Sequence, residues 1–183
     1  FLPLMIPLVH QINSTPHKML TDIDINKKRY IFMTDQGENL IYIYQLSPQF
    51  KDLKKITTIN VTNPSLTALT QSSNLGALVS NTECKLFNHN KKKLIYLDQQ
   101  NKKINSLLNN QKITDISFNF KNELLVTTTS TLYFFNTYSG NLIKKLKLKN
   151  EVESPRSTHH GEILMFDRIA HELLLYDSNL NLQ

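Results

Sequence analysis

Short apolar runs, mostly four or five residues long, alternate along the chain with clusters of Asn, Ser, Thr, Gly and Asp. Runs of that length between turn-forming residues predict β-strands, and helical periodicity is weak throughout. The runs also repeat. Met19-Leu20-Thr21-Asp22-Ile23, Leu66-Thr67-Ala68-Leu69 and Ile113-Thr114-Asp115-Ile116-Ser117 share one texture and start 47 residues apart each time. A second run follows each at a matching offset: Tyr30-Ile31-Phe32-Met33-Thr34, Ala77-Leu78-Val79-Ser80 and Leu124-Leu125-Val126-Thr127-Thr128. A fourth copy of that second run, Ile163-Leu164-Met165-Phe166-Asp167, comes 39 residues after the third.

The next run in every copy closes on an aromatic residue and then a polar one. The four pairs are Tyr44-Gln45, Phe87-Asn88, Phe135-Asn136 and Tyr176-Asp177, and they form the structural signature of the repeat. Turn residues follow, as in Thr137-Tyr138-Ser139-Gly140, and a last run then completes the unit: Lys55–Ile59, Lys93–Leu97 and Leu142–Leu148. Four short strands joined by turns make the blade of a β-propeller. The expected fold is therefore all-β, with about four four-stranded antiparallel units. An extended segment is expected over 1–18, blades over 19–65, 66–112 and 113–152, and a partial blade over 153–183.

The third unit, 113–148, resembles a WD repeat, whose third strand ends in an aromatic residue and a polar one. Phe135-Asn136 stands at that position, before a Thr-Tyr-Ser-Gly turn and a Lys-rich fourth strand. The resemblance covers most of 19–183 at the level of fold. It departs from the family in having no Trp and no Gly-His pair before the first strand. Ile-Tyr-Leu-Asp at 95–98 and Leu-Met-Phe-Asp at 164–167 also suit a propeller of another kind, such as an NHL-like one. The WD-like resemblance implies a ring of more blades than four, commonly seven, and a role as a subunit of larger assemblies. The fourth unit reaches Gln183 before a last strand, and the first residue is Phe1 rather than Met. The remaining blades are expected outside these residues or on a partner chain.

Composition changes this picture little. The net charge is +6, but 18 of the 21 basic residues are Lys, and 20 Asn accompany them. Readers of nucleic acid lean on the bidentate fork of Arg, so this balance suits general solubilisation better. The pattern Lys145-Leu146-Lys147-Leu148-Lys149 fits an outer strand with lysines in solvent, where charge blocks edge-to-edge pairing. The single Cys84 excludes an internal disulfide framework and a cysteine zinc site, and suits a reducing compartment. Phe1 to Val9 is apolar but too short to span a bilayer, and no other long apolar run occurs, so no transmembrane segment is expected. An intracellular location, cytoplasmic or nuclear, follows as the expectation.

Candidate chemistry was weighed at three places. Asp35, Asp98 and Asp167 follow apolar strands and would form a carboxylate ring if they shared one register. Asp98 ends a fourth strand and the other two end second strands, so turn formation explains them better. His159-His160 with Glu162 and His171 carries imidazoles, but adjacent residues on a strand point to opposite faces. His10, His17 and His89 have no companions. With four Gly a phosphate-cradling loop is hard to build, and no nucleophile elbow or Cys-His pair is present. The expectation is a non-enzymatic scaffold with no catalytic residue, metal or cofactor, whose partners are other protein subunits. The alternative is a basic propeller docking on nucleic acid, a nucleoprotein or an anionic membrane, which is less favoured.

Overall fold

The computed structural model describes residues 18–19, 23–25, 28–47, 52–70, 73–90 and 93–183. All but the last residue of the segment expected over 1–18, with His10 and His17, lies outside them. Four antiparallel sheets follow one another along the described residues. The first contains β1 (Lys18–Met19), β2 (Ile23–Ile25), β3 (Lys28–Asp35), β4 (Leu40–Leu46) and β5 (Leu53–Asn60), with β1 and β2 pairing successive parts of β3. The second is β6 (Pro64–Leu69), β7 (Leu75–Ser80), β8 (Glu83–His89) and β9 (Leu94–Tyr96). Helix α1 (Asp98–Leu108) leads to the third sheet: β10 (Ile113–Phe118), β11 (Leu124–Thr128), β12 (Thr131–Phe135) and β13 (Leu142–Lys147). The fourth has three strands, β14 (Val152–Ser157), β15 (Ile163–Asp167) and β16 (Glu172–Tyr176).

Each sheet is an up-and-down meander, and the first strands of neighbouring sheets touch. Strand β10 contacts both β6 and β14. Sheets that share an inner edge and stack face to face are blades around an axis, which is the propeller arrangement. The local irregularities repeat as well. The inner strands β6 and β10 each shift register one residue after their start, at Pro64/Leu66 and Ile113/Asp115. A bulge at an equivalent place twists each blade away from the axis in the same sense.

Three apolar cores lie between the sheets. Tyr30, Phe32, Ile41 and Ile43 of the first meet Leu78 and Phe87 of the second. Ala77, Val79, Cys84 and Leu86 on the other face of the second sheet meet Leu124, Val126, Tyr133 and Phe135 of the third. Leu125, Leu132 and Phe134 then meet Ile163 and Met165 of the fourth. Strand alternation sends successive residues of one strand into two different cores, as Phe134 and Phe135 show.

Helix α1 corrects the expectation of weak helicity, and it moves Asp98 from the end of a strand to the first helical residue. The turn of backbone that closes it places Asn109 at φ 48° and returns its N–H to the Asn105 carbonyl at 2.9 Å. Its inward stripe is Asn101, Ile104, Asn105 and Leu108, the i, i+3, i+4, i+7 pattern of one helix face. Ile104 and Leu108 join the core between the second and third sheets. The two asparagines serve the backbone. Asn101 Oδ1 accepts the Leu86 N–H at 2.6 Å and its Nδ2 donates to the Leu86 carbonyl at 3.1 Å. Asn105 does the same for Cys84, at 2.9 and 2.8 Å. Strand β9 pairs only with Phe87 to His89 of β8, so these amides take the place of a longer fourth strand along that edge.

Candidate functional site

The aromatic-polar pairs stand at the ends of the third strands. Phe87 and Phe135 are fully buried, Tyr44 is buried and Tyr176 is half-buried. The rings of Phe87, Phe135 and Tyr176 face the preceding sheet, and Tyr44 packs with Met33 and Tyr42 on the equivalent face of the first. Their polar neighbours stay near the turns. Asn136 Oδ1 accepts the N–H groups of Tyr138 and Ser139, both at 2.9 Å. Asp177 Oδ1 accepts those of Asn179 and Asn181, also at 2.9 Å, and these bonds, led by Asn181, hold its carboxyl below the usual range. Asn88 is exposed and faces Ile95 in the ladder, while half-buried Gln45 faces Lys54.

The three aspartates do not converge. Asp35 Oδ1 accepts the Glu38 N–H at 3.0 Å in the β3–β4 turn. Asp167 holds the β15–β16 turn through the N–H groups of Ile169 and Ala170, at 3.0 and 2.9 Å, and accepts Asn150 Nδ2 at 2.8 Å. Donors on that carboxylate, Ala170 first, lower its pKa. Asp98 opens the helix. Among the described residues no three His, Cys, Asp or Glu side chains are grouped to hold a metal ion.

His159 and His160 sit in the β14–β15 turn and not on a strand, which corrects the geometry expected for them. Thr158 and Glu162 close that turn through a backbone bond of 2.9 Å. His159 stacks on Phe120 of the β10–β11 turn, with ring centroids 3.7 Å apart, so two neighbouring blades present a joined aromatic pair on one rim. Tyr138 stands on the same rim, 91% exposed. His89, which has no companion in the sequence, is buried edge-on to Phe32 at 5.1 Å and near Phe87 at 6.4 Å, with neither ring nitrogen hydrogen-bonded among the described residues, and burial lowers its pKa. Asp115 was read only as part of a repeat. It joins Arg156 at 2.9 Å and links the inner strands of the third and fourth sheets.

One groove lies outside β8, beside α1. It has a volume of about 420 Å³ and is lined by Glu83, Lys85, Tyr96, Asp98 and Lys102, a mixture of both charges. Lys85 is engaged by Glu83 at 3.6 Å and lies 5.8 Å from the Tyr96 ring centroid. On the outermost strand of the third sheet, Lys145 and Lys147 are exposed while Leu146 and Leu148 pack inward. Lys144 is spent on Phe134, 4.7 Å from its centroid, and on the Ser178 carbonyl at 2.9 Å.

No protein-family model and no curated protein matches the sequence. Solved structures do match the fold. YCF48 bound to a D1 peptide is similar with a TM-score of 0.62 and 14% identity, over 97% of this chain and 55% of that one. The Cps50 (Swd1) β-propeller domain from Myceliophteria thermophila gives 0.61 and 11%, over 86% and 52%. Hsv2 from Kluyveromyces lactis gives 0.59 and 9%, over 92% and 50%. The likeness is one of fold, and it makes the chain a run of β-propeller blades. The chain spans about half the length of these solved chains. No helix among the described residues is long and apolar enough to cross a membrane.

Proposed function

We propose that the chain is a non-enzymatic protein-interaction scaffold, an arc of propeller blades that works as a subunit or portion of a larger multiprotein assembly. One contrast carries the reading. Asp35 and Asp167 are engaged in turns and the three candidate aspartates do not converge, while large apolar side chains stand in solvent on the rim and on the fourth sheet. Tyr138, Phe120, Ile169 and Leu173 are 91, 49, 70 and 71% exposed. Apolar surface rimmed by polar residues suits protein contacts, and a propeller carries its function on such grafted surfaces. One of the fold's neighbours accords with this, being bound to a peptide in its structure. The aromatic-polar pairs act in this reading as structural positions that hold each blade to the one before it.

The test is isolation of the tagged chain from its own cells at about 0.1 M and about 1 M salt, where the screening length falls from about 10 Å to about 3 Å. A stoichiometric protein partner present at both is the expected result. Recovery with nucleic acid or anionic lipid at low salt alone would establish the basic-docking alternative. Recovery as a lone chain at both would overturn the scaffold.

A further inference from the structure

The β12–β13 turn fixes the backbone of Tyr138 and leaves its ring in solvent. Asn136 Oδ1 accepts the N–H groups of Tyr138 and Ser139, and the Asn136 carbonyl accepts that of Gly140 at 2.8 Å. Helix α1 holds the other side. Gln100 Nε2 donates to the Tyr138 carbonyl at 2.8 Å and Lys103 Nζ to the Ser139 carbonyl at 3.1 Å. Gly140 lies at φ +74°, and a Cβ there would stand 2.8 Å from the Gln100 Cα, so helix and turn are in close contact. The Tyr138 ring is 91% exposed and belongs to none of the cores. A ring carried on backbone that is already ordered loses little freedom on contact, which is the property of an interface anchor.

Two further rings share that rim. Thr137 Oγ1 donates to the Asn122 carbonyl at 2.9 Å and joins the turn of Tyr138 to that of Phe120, which is 49% exposed and stacked on exposed His159. The charges among these turns are of mixed sign but differ in reach. Glu123 and Glu162 are half-buried and bonded inside their own turns, to Asn119 Nδ2 at 2.7 Å and Thr158 Oγ1 at 3.0 Å. Lys121 is exposed, and the Lys103 ammonium at the foot of Tyr138 bonds two neutral oxygens. A nucleic acid needs a continuous basic track for its phosphates, which the two carboxylates interrupt. A polypeptide can set a single carboxylate against a lysine and an aromatic side chain against the rings.

We propose that this rim, centred on Tyr138, binds an extended segment of a partner protein in which an aromatic residue lies next to an Asp or Glu. The inference rests on the scaffold reading and names one surface and the chemistry of its occupant. Successive blades follow one another around the axis, so further blades would leave this turn-bearing rim open. Residues 1–17 contain no Asp or Glu and do not match the occupant.

The test places a photoreactive benzophenone side chain at position 138 of the full chain in its native cells and maps the crosslinked peptide. The Phe120→Ala/Tyr138→Ala variant is isolated in parallel, with thermal melts of both. The expected result is a crosslink to a segment of another protein that pairs an aromatic residue with a carboxylate. Recovery of that protein should fall about tenfold or more with the variant, at an unchanged melt. Lys121→Glu should lower recovery as well, a loss that a purely apolar contact would not show. Retention of the partner by the double variant overturns the proposal while leaving the scaffold standing. So does a crosslink to nucleic acid, to another part of this chain, to a segment without that pairing, or to nothing. If the variant melts early, the crosslink decides alone. If the unaltered chain brings down no protein, the scaffold reading falls with it.

Discussion

His89 shows how a single residue couples this fold to pH. Its ring lies between the first two sheets with no hydrogen-bond partner on either nitrogen among the described residues, so a proton there would be a buried charge with no partner among them. Burial lowers the folded-state pKa below 6.5, and the unfolded chain therefore takes up the proton first. The stability this gives is complete above about pH 6.5 and is lost as pH falls from there through the lowered value. A denaturant midpoint that drops between pH 7 and pH 5, and a His89→Leu variant in which that drop is smaller, are the expected outcomes. Cys84 is fully buried and its thiol is pushed up to about 12, so it should not react with a thiol reagent until the chain is unfolded. Gly76 is a packing requirement. A Cβ there would lie 2.5 Å from Phe87 Cζ, and Gly76→Ala should cost about 1–3 kcal/mol in chemical denaturation as that buried ring is displaced.

At the scale of elements, the strands were readable and the helix was not, for one physical reason. Strands leave a signal of alternation or short apolar runs that needs only four or five residues. The inward stripe of α1 is correctly spaced, but two of its four members are Asn101 and Asn105. Their burial serves the edge of β8 and not the core, so apolar periodicity could not reveal them. A helix signal was present in the good formers Gln99, Gln100, Lys102, Lys103, Leu107 and Leu108 and in the Asn109-Asn110 stop. The same helix occupies the link from the second unit to the third, whereas the third passes directly from β13 to β14 and its spacing is shorter. Asn101→Ala would leave the Leu86 N–H without its acceptor in a buried setting. The expected loss is about 1–3 kcal/mol, measured by the denaturant midpoint, with faster amide exchange at Leu86.

At the scale of the whole molecule, the repeat made the propeller legible because each blade buries the same strand positions against its neighbour. Partners and site were less legible. Whether an apolar residue is covered depends on what lies across from it, and Leu173 reads in sequence like Leu132. Only the fold separates them, one fully buried and the other 71% exposed. In the proposed scaffold role this arc of blades docks another protein through the apolar side chains exposed on its rim and fourth sheet. Amide hydrogen exchange over Glu172–Tyr176 tests it most directly, comparing the isolated chain with the natively purified assembly. Exchange in this strand about tenfold slower in the assembly, with β7 and β11 unchanged, is the expected result. Equal exchange of the strand in both samples would contradict it.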